Sequence, residues 1–228
     1  MPTTPSTRAH DVQHVATGQP PHCDGGAVIW IHLHGWGSSA EIFRSQWSAA
    51  RNHPPGTHIF LDGLEHDPLT GRRRWFAFSG DEEQMAQRLL LSAPKAEALI
   101  RAELDRLSSP PQAAISLTGH SQGGMLALAL TLRGRLNIAR TECYATFLPS
   151  APALRPDAAP VGTTVVLYSS RGDRYVSREM ADATAERLRQ LGVNRLKERI
   201  TPHLPHAFSP AWLEPASFRE SRDASLRA

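Results

Sequence analysis

Cysteine is nearly absent from this 228-residue chain, which has two, Cys23 and Cys143. Two are too few for a disulfide framework, and neither shows the spacing of a zinc site. No metal and no organic cofactor are expected. Cys143 opens an apolar run and reads as a small buried hydrophobe. Long apolar stretches are missing too: none approaches the ~18 residues of a membrane helix, so no stable membrane insertion is expected. The start, Met1-Pro2-Thr3-Thr4-Pro5, lacks the basic-then-apolar pattern of a secretory signal, and a cytoplasmic protein is the default expectation. Charge of one sign is also lacking. Lys plus Arg number 25 and Asp plus Glu 22, for a net charge of +3. Arg72-Arg73-Arg74 is the only basic triplet, which argues against a nucleic-acid partner.

What is present is an ordinary globular composition, with 40% hydrophobic and 21% charged residues. That suits one domain with a sizeable core. Residues 1–25 are polar, rich in Pro, Thr and His, and read as a flexible arm or an edge strand. Residues 26–228 read as a single domain. Short apolar runs at 27–31, 57–61, 113–117, 143–148 and 163–168 fit strands buried on both faces. Helical spacing occupies the intervals: 92–107 with Ser92 as N-cap, 121–132, and 177–191 with Gly192 as its stop. Ser209-Pro210 opens a last helix. Strands alternating with helices predict a mostly parallel central sheet flanked by helices.

Chemistry enters at Gly119-His120-Ser121-Gln122-Gly123-Gly124. This satisfies G-x-S-x-G, with an apolar strand before it and a helical run after it, the setting of the nucleophile in an α/β-hydrolase fold. Ser121 then sits on a sharp strand-to-helix turn, and side chains at 119 and 123 would collide with neighbouring backbone. The helix N-terminus behind it favours developing negative charge. A second motif, His32-Leu33-His34-Gly35-Trp36-Gly37, ends the first strong strand. In this fold the loop there supplies one oxyanion-hole N–H and the residue after the nucleophile supplies the other. Those are Trp36 and Gln122. His32 reads as structural, and His34 as a brace for the loop.

An acid and a base must follow the serine in that order. Asp173 lies in the loop after the run at 163–168, where catalytic groups gather in open α/β sheets. Asp157, in a Pro-rich loop, is the runner-up. Two histidines come late enough, His203 and His206. His206 is closer to the final helix start at Ser209-Pro210 and is preferred.

Taken together, Leu33-His34-Gly35-Trp36-Gly37, Arg74-Trp75-Phe76, Gly119 to Gly124, Gly172-Asp173 and His206 resemble the phospholipase/carboxylesterase family, which includes acyl-protein thioesterases and small carboxylesterases. The resemblance spans about residues 27–215. It implies a compact hydrolase with no large lid, acting on esters or thioesters, with Ser121, Asp173 and His206 as triad and Trp36 and Gln122 as oxyanion donors. Trp36, Trp75 and Phe76 are expected to shape a cleft for a modest acyl group. Three positions depart from the family pattern: Ser38 replaces an Asp, His120 replaces an aromatic residue, and Ala77 replaces an acidic one.

The leading expectation is a serine hydrolase that forms an acyl-enzyme on a small ester or thioester substrate. A thioesterase or transacylase serving a biosynthetic pathway is an alternative. So is a non-catalytic binding protein on a hydrolase scaffold, since fold does not dictate function.

Overall fold

The computed structural model describes residues 13–17, 28–52, 54–78, 80–109, 114–157, 162–214 and 219–220. Cys23 and most of the N-terminal 25 residues lie outside that set. The chain begins with β1 (Gln13–Thr17), β2 (Ile29–Leu33), α1 (Ala40–Ser48) and β3 (Gly56–Leu61). A small hairpin, β4 (Glu65–His66) and β5 (Arg73–Arg74), precedes α2 (Glu82–Arg106). Next come β6 (Ile115–His120), α3 (Gln122–Arg133), β7 (Ile138–Tyr144) and β8 (Thr164–Ser170). The chain continues through α4 (Arg178–Gln190), β9 (Arg195–Thr201), a 3-10 turn (Pro210–Leu213) and β10 (Arg219–Glu220).

The main sheet runs β1-β3-β2-β6-β7-β8-β9-β10. Its six inner strands are parallel, and β1 and β10 pair antiparallel at the edges. This is the mostly parallel, helix-flanked sheet of an α/β-hydrolase. Strands β2, β3, β6 and β8 are buried on both faces because both faces are covered. On one side α2, α3 and α4 pack with Ile31, Leu33, Leu117 and Leu167. On the other, Phe43 and Trp47 of α1 meet Tyr144, Phe208 and Trp212. From Gln122 to Leu132 every residue of α3 is buried, which explains its unbroken apolar character. Strand order reverses around β2, since β3 lies on one side of it and β6 on the other. The loops after β2 and β6 therefore open side by side at the carboxyl edge of the sheet.

The buried histidines in the sheet are hydrogen-bonded. His32 Nε2 lies 2.8 Å from His58 Nδ1, and His58 Nε2 lies 2.9 Å from the Pro54 carbonyl. The carbonyl can only accept, so the chain of protons runs from the Thr118 hydroxyl through His32 and His58 to Pro54. His32 is thus a structural residue of the core.

Three elements differ most from the sequence expectation. Helix α2 starts at Glu82, capped by Asp81, whose carboxylate accepts the Gln84 N–H at 2.7 Å. Ser92 is buried inside it, and Pro94 interrupts the hydrogen bonds without ending the helix. The helix persists because Met85, Ala86, Leu89, Ala93, Ala96 and Ile100 form one buried stripe. Strand β7 begins at Ile138 and ends at Tyr144, five residues earlier than the apolar run suggested at its start. Arg140 and Glu142 pair within it and hide its pattern, and Ala145, at φ 49, turns the chain out of the strand. The closing helix is a single 3-10 turn.

Candidate active site

Ser121 stands between β6 and α3 with φ 51 and ψ −117, a backbone conformation that non-glycine residues seldom adopt. Its surroundings hold it there. The Ser121 N–H donates to the Tyr144 carbonyl at 2.9 Å, and the Thr146 hydroxyl donates to the Ser121 carbonyl at 2.7 Å. A Cβ at Gly119 would sit 2.3 Å from the Gly123 oxygen, and one at Gly123 would sit 2.1 Å from the Leu33 oxygen. The two flanking glycines are thus required by close backbone approach, and the Ser121 side chain is lifted clear of the sheet.

His206, on the loop after β9, faces it. His206 Nε2 is 2.9 Å from Ser121 Oγ, and His206 Nδ1 is 2.8 Å from Asp173 Oδ2. The other Asp173 oxygen accepts the Tyr175 and Val176 N–H groups at 2.8 and 3.0 Å. Burial alone would raise the Asp173 carboxyl. The hydrogen bonds from His206, Val176 and Tyr175 outweigh it and hold the carboxyl below its ordinary range. An ionised Asp173 keeps the proton on Nδ1, which leaves the Nε2 lone pair toward the serine hydroxyl. The two runners-up stay out of this cluster. Asp157 pairs with Arg135 at 3.0 Å near the surface, and His203 is exposed.

The loop after β2 is braced from below. The Gly63 N–H donates to His34 Nε2 at 2.9 Å, so the His34 proton is on Nδ1, which donates to the Gly35 carbonyl at 2.7 Å. Burial lowers the His34 pKa and keeps the ring neutral. Its 3.9 Å approach to Asp62 is therefore not an ion pair. The Gly37 N–H donates to the Arg73 carbonyl at 2.9 Å. Among the described residues, the Trp36 N–H has no backbone acceptor. Gln122 opens α3, where helix geometry leaves the N–H without an intrahelical partner. Its carboxamide is engaged elsewhere: Oε1 accepts the Trp75 N–H at 2.9 Å, and Nε2 donates to the Phe76 carbonyl at 2.8 Å.

Comparison with known proteins now decides the family. The sequence signature named phospholipase/carboxylesterase matches residues 15–217. The chain belongs to the phospholipase/carboxylesterase family. Solved structures share its fold. Zea mays acyl-protein thioesterase 2 superposes with a TM-score of 0.67 at 15% identity, covering 92% of this chain and 94% of that one. The Bacillus cereus carboxylesterase gives a TM-score of 0.73 at 14% identity, covering 93% of both chains. Esterase PE8 gives 0.73 at 17% identity, covering 92% of this chain and 95% of that one. No curated protein gives a significant sequence match.

Within this phospholipase/carboxylesterase domain the aromatic residues named above fall into a buried set and an exposed set. Trp75 and Phe76, expected to shape the cleft, are 0% and 1% exposed. Gln122 grips their backbone, and the Trp75 indole N–H donates to the His34 carbonyl at 2.8 Å, so they support the loop from within. Trp36, on the loop after β2, and Tyr175, beside His206, are exposed aromatics. The Tyr175 ring centre is 5.0 Å from that of His206. Sequence reasoning passed over Tyr175, although its place two residues beyond Asp173 was a usable signal. Among the described residues, no group of three or more His, Cys, Asp or Glu could hold a metal ion. Among the same residues, no helix is long and apolar enough to cross a membrane.

Proposed function

We propose that the chain hydrolyses carboxylic esters or thioesters through an acyl-enzyme on Ser121. Ser121 Oγ attacks the acyl carbonyl while His206 Nε2 takes its proton. Asp173 stabilises the imidazolium that forms and keeps it oriented. The oxyanion of the tetrahedral intermediate receives the N–H groups of Trp36 and Gln122, helped by the N-terminal end of α3. Collapse expels the alkoxide or thiolate, which His206 protonates. Water then repeats the sequence on the acyl-enzyme, releasing the acid and restoring Ser121. The exposed Trp36 and Tyr175 side chains offer apolar contact to a modest acyl or leaving group.

The observation that carries this reading is the continuous chain from Asp173 Oδ2 through His206 to Ser121 Oγ, with contacts of 2.8 and 2.9 Å. Family membership supports the same class of reaction. The test combines a fluorophosphonate probe with turnover of a p-nitrophenyl ester. Mass spectrometry should find the probe on Ser121, and Ser121→Ala should lose ~10⁴-fold or more of the turnover with its fold intact. Retention of even a tenth of the activity in pure Ser121→Ala would reject the assignment.

A further inference from the structure

His120 ends β6 and directly precedes Ser121. Its ring is buried, and its Nε2 lies 2.6 Å from the main-chain carbonyl oxygen of His206. A carbonyl only accepts, so Nε2 carries the proton and donates it. The Nδ1 edge of the ring faces the oxyanion loop, where a Cβ at Gly35 would lie 2.7 Å from Nδ1. That loop accommodates the imidazole because residue 35 has no side chain. One ring therefore touches three parts of the site. It adjoins the nucleophile along the chain, packs against the oxyanion loop, and is hydrogen-bonded to the residue that carries the base.

The base loop needs such a tie. It runs through Pro202 and Pro205, which have no N–H to give, and both are exposed. The His206 side chain already spends both ring nitrogens on Ser121 and Asp173. Only its backbone is free to be anchored, and that is where His120 binds.

We propose that His120 is a positioning residue for hydrolysis: its Nε2–H holds the His206 carbonyl so that His206 Nε2 stays aligned with Ser121 Oγ. The inference rests on the Ser121–His206–Asp173 reading. With Nε2 as the donor, the neutral ring leaves Nδ1 unprotonated toward Gly35, and the surroundings favour that form. Burial pushes the His120 pKa down to about 4, against the opposing pull of the hydrogen bond to the His206 carbonyl and of the Asp173 carboxylate. Among the described residues, His206, Asp173 and His34 are the titratable groups that act on it. An aromatic ring of similar size would keep the packing on Phe208 and His206, whose ring centres lie 5.6 and 5.3 Å away, but could not donate. A glutamine would place an N–H the same number of bonds from Cβ.

The test compares His120→Phe with His120→Gln on a p-nitrophenyl ester and on the rate of fluorophosphonate labelling. His120→Phe should lose ~10- to 100-fold in kcat with KM nearly unchanged, because a displacement of about 1 Å in the base is enough for that. Labelling of Ser121 should slow in parallel, and His120→Gln should recover both to within about threefold. Should His120→Phe fail to fold, His120→Met, which also lacks a donor, takes its place. Wild-type kcat in the donor-less variant would overturn the proposal, as would equal losses in His120→Phe and His120→Gln at wild-type Tm. A wild-type protein that the probe does not label would overturn the triad reading and this proposal with it. Labelled wild type with an unaffected donor-less variant overturns this proposal alone.

Discussion

Trp75 donates its indole N–H to the main-chain carbonyl of His34 across 2.8 Å, with the indole fully buried. The bond fastens the hairpin after β3 to the start of the loop after β2. Trp75→Phe would keep most of the apolar volume and leave the His34 carbonyl short of a donor in a dry place. That costs about 1–3 kcal/mol of stability. Turnover should fall with it, because Gly35-Trp36-Gly37 loses a support. Chain-length preference should not move, since Trp75 does not face the substrate. Thermal unfolding and a series of p-nitrophenyl esters check both statements. A changed chain-length preference at unchanged Tm would make Trp75 a wall of the cleft after all.

Much of this arrangement was legible in the sequence, and the failures have physical causes. Strands buried on both faces are written as continuous apolar runs, so β2, β3, β6 and β8 stood out. Strand β7 was placed five residues late, because Arg140, Glu142 and the Tyr144 hydroxyl pair within it and break its apolar pattern. Ser92 and Pro94 imitate a helix start, and tertiary burial of the stripe through Leu89 and Ala93 overrides that local signal. Ser121, Asp173 and His206 were marked by motif, chain order and strand-end placement, and their side chains come within hydrogen-bonding distance. His120 stood out only as a departure from the family pattern. Its bond joins a side chain to a backbone oxygen 86 residues away, a pairing with no local spacing to reveal it.

Two substitutions at Trp36 separate its backbone from its side chain. Trp36→Ala keeps the N–H and removes an indole that is 45% exposed, so it should mainly change acyl fit. Trp36→Pro deletes the donor and should cost ~10²-fold or more in kcat. Equal kcat in the two variants, both folded by circular dichroism, would move the oxyanion hole elsewhere.

The base and its partner can be tested as a set. His206→Ala should lose ~10⁴-fold or more in turnover, and His203→Ala should stay within about tenfold. Asp173→Asn should approach the same loss of ~10⁴-fold, because an amide there no longer fixes the Nδ1–H tautomer. If His203→Ala is the inactive variant and His206→Ala the active one, the base has been assigned to the wrong histidine.

Stability at acid pH follows from His120. Its folded-state pKa of about 4 lies below the ordinary histidine value of 6.5. Between these values the unfolded chain takes up a proton that the folded chain refuses, so stability falls as pH is lowered from 6.5 toward 4. Above 6.5 both states are neutral and the difference vanishes. A shift of this size corresponds to about 3 kcal/mol across the whole window. His34, also lowered by burial, acts in the same direction. Urea unfolding of the wild type should therefore show a midpoint that drops steadily from pH 7 to pH 5. His120→Gln, with no proton to gain, should show a visibly shallower drop over the same range, His34 supplying part of what remains. Parallel slopes in the two proteins would mean that the folded state admits the proton, and His120 would then not be held neutral beside the His206 carbonyl.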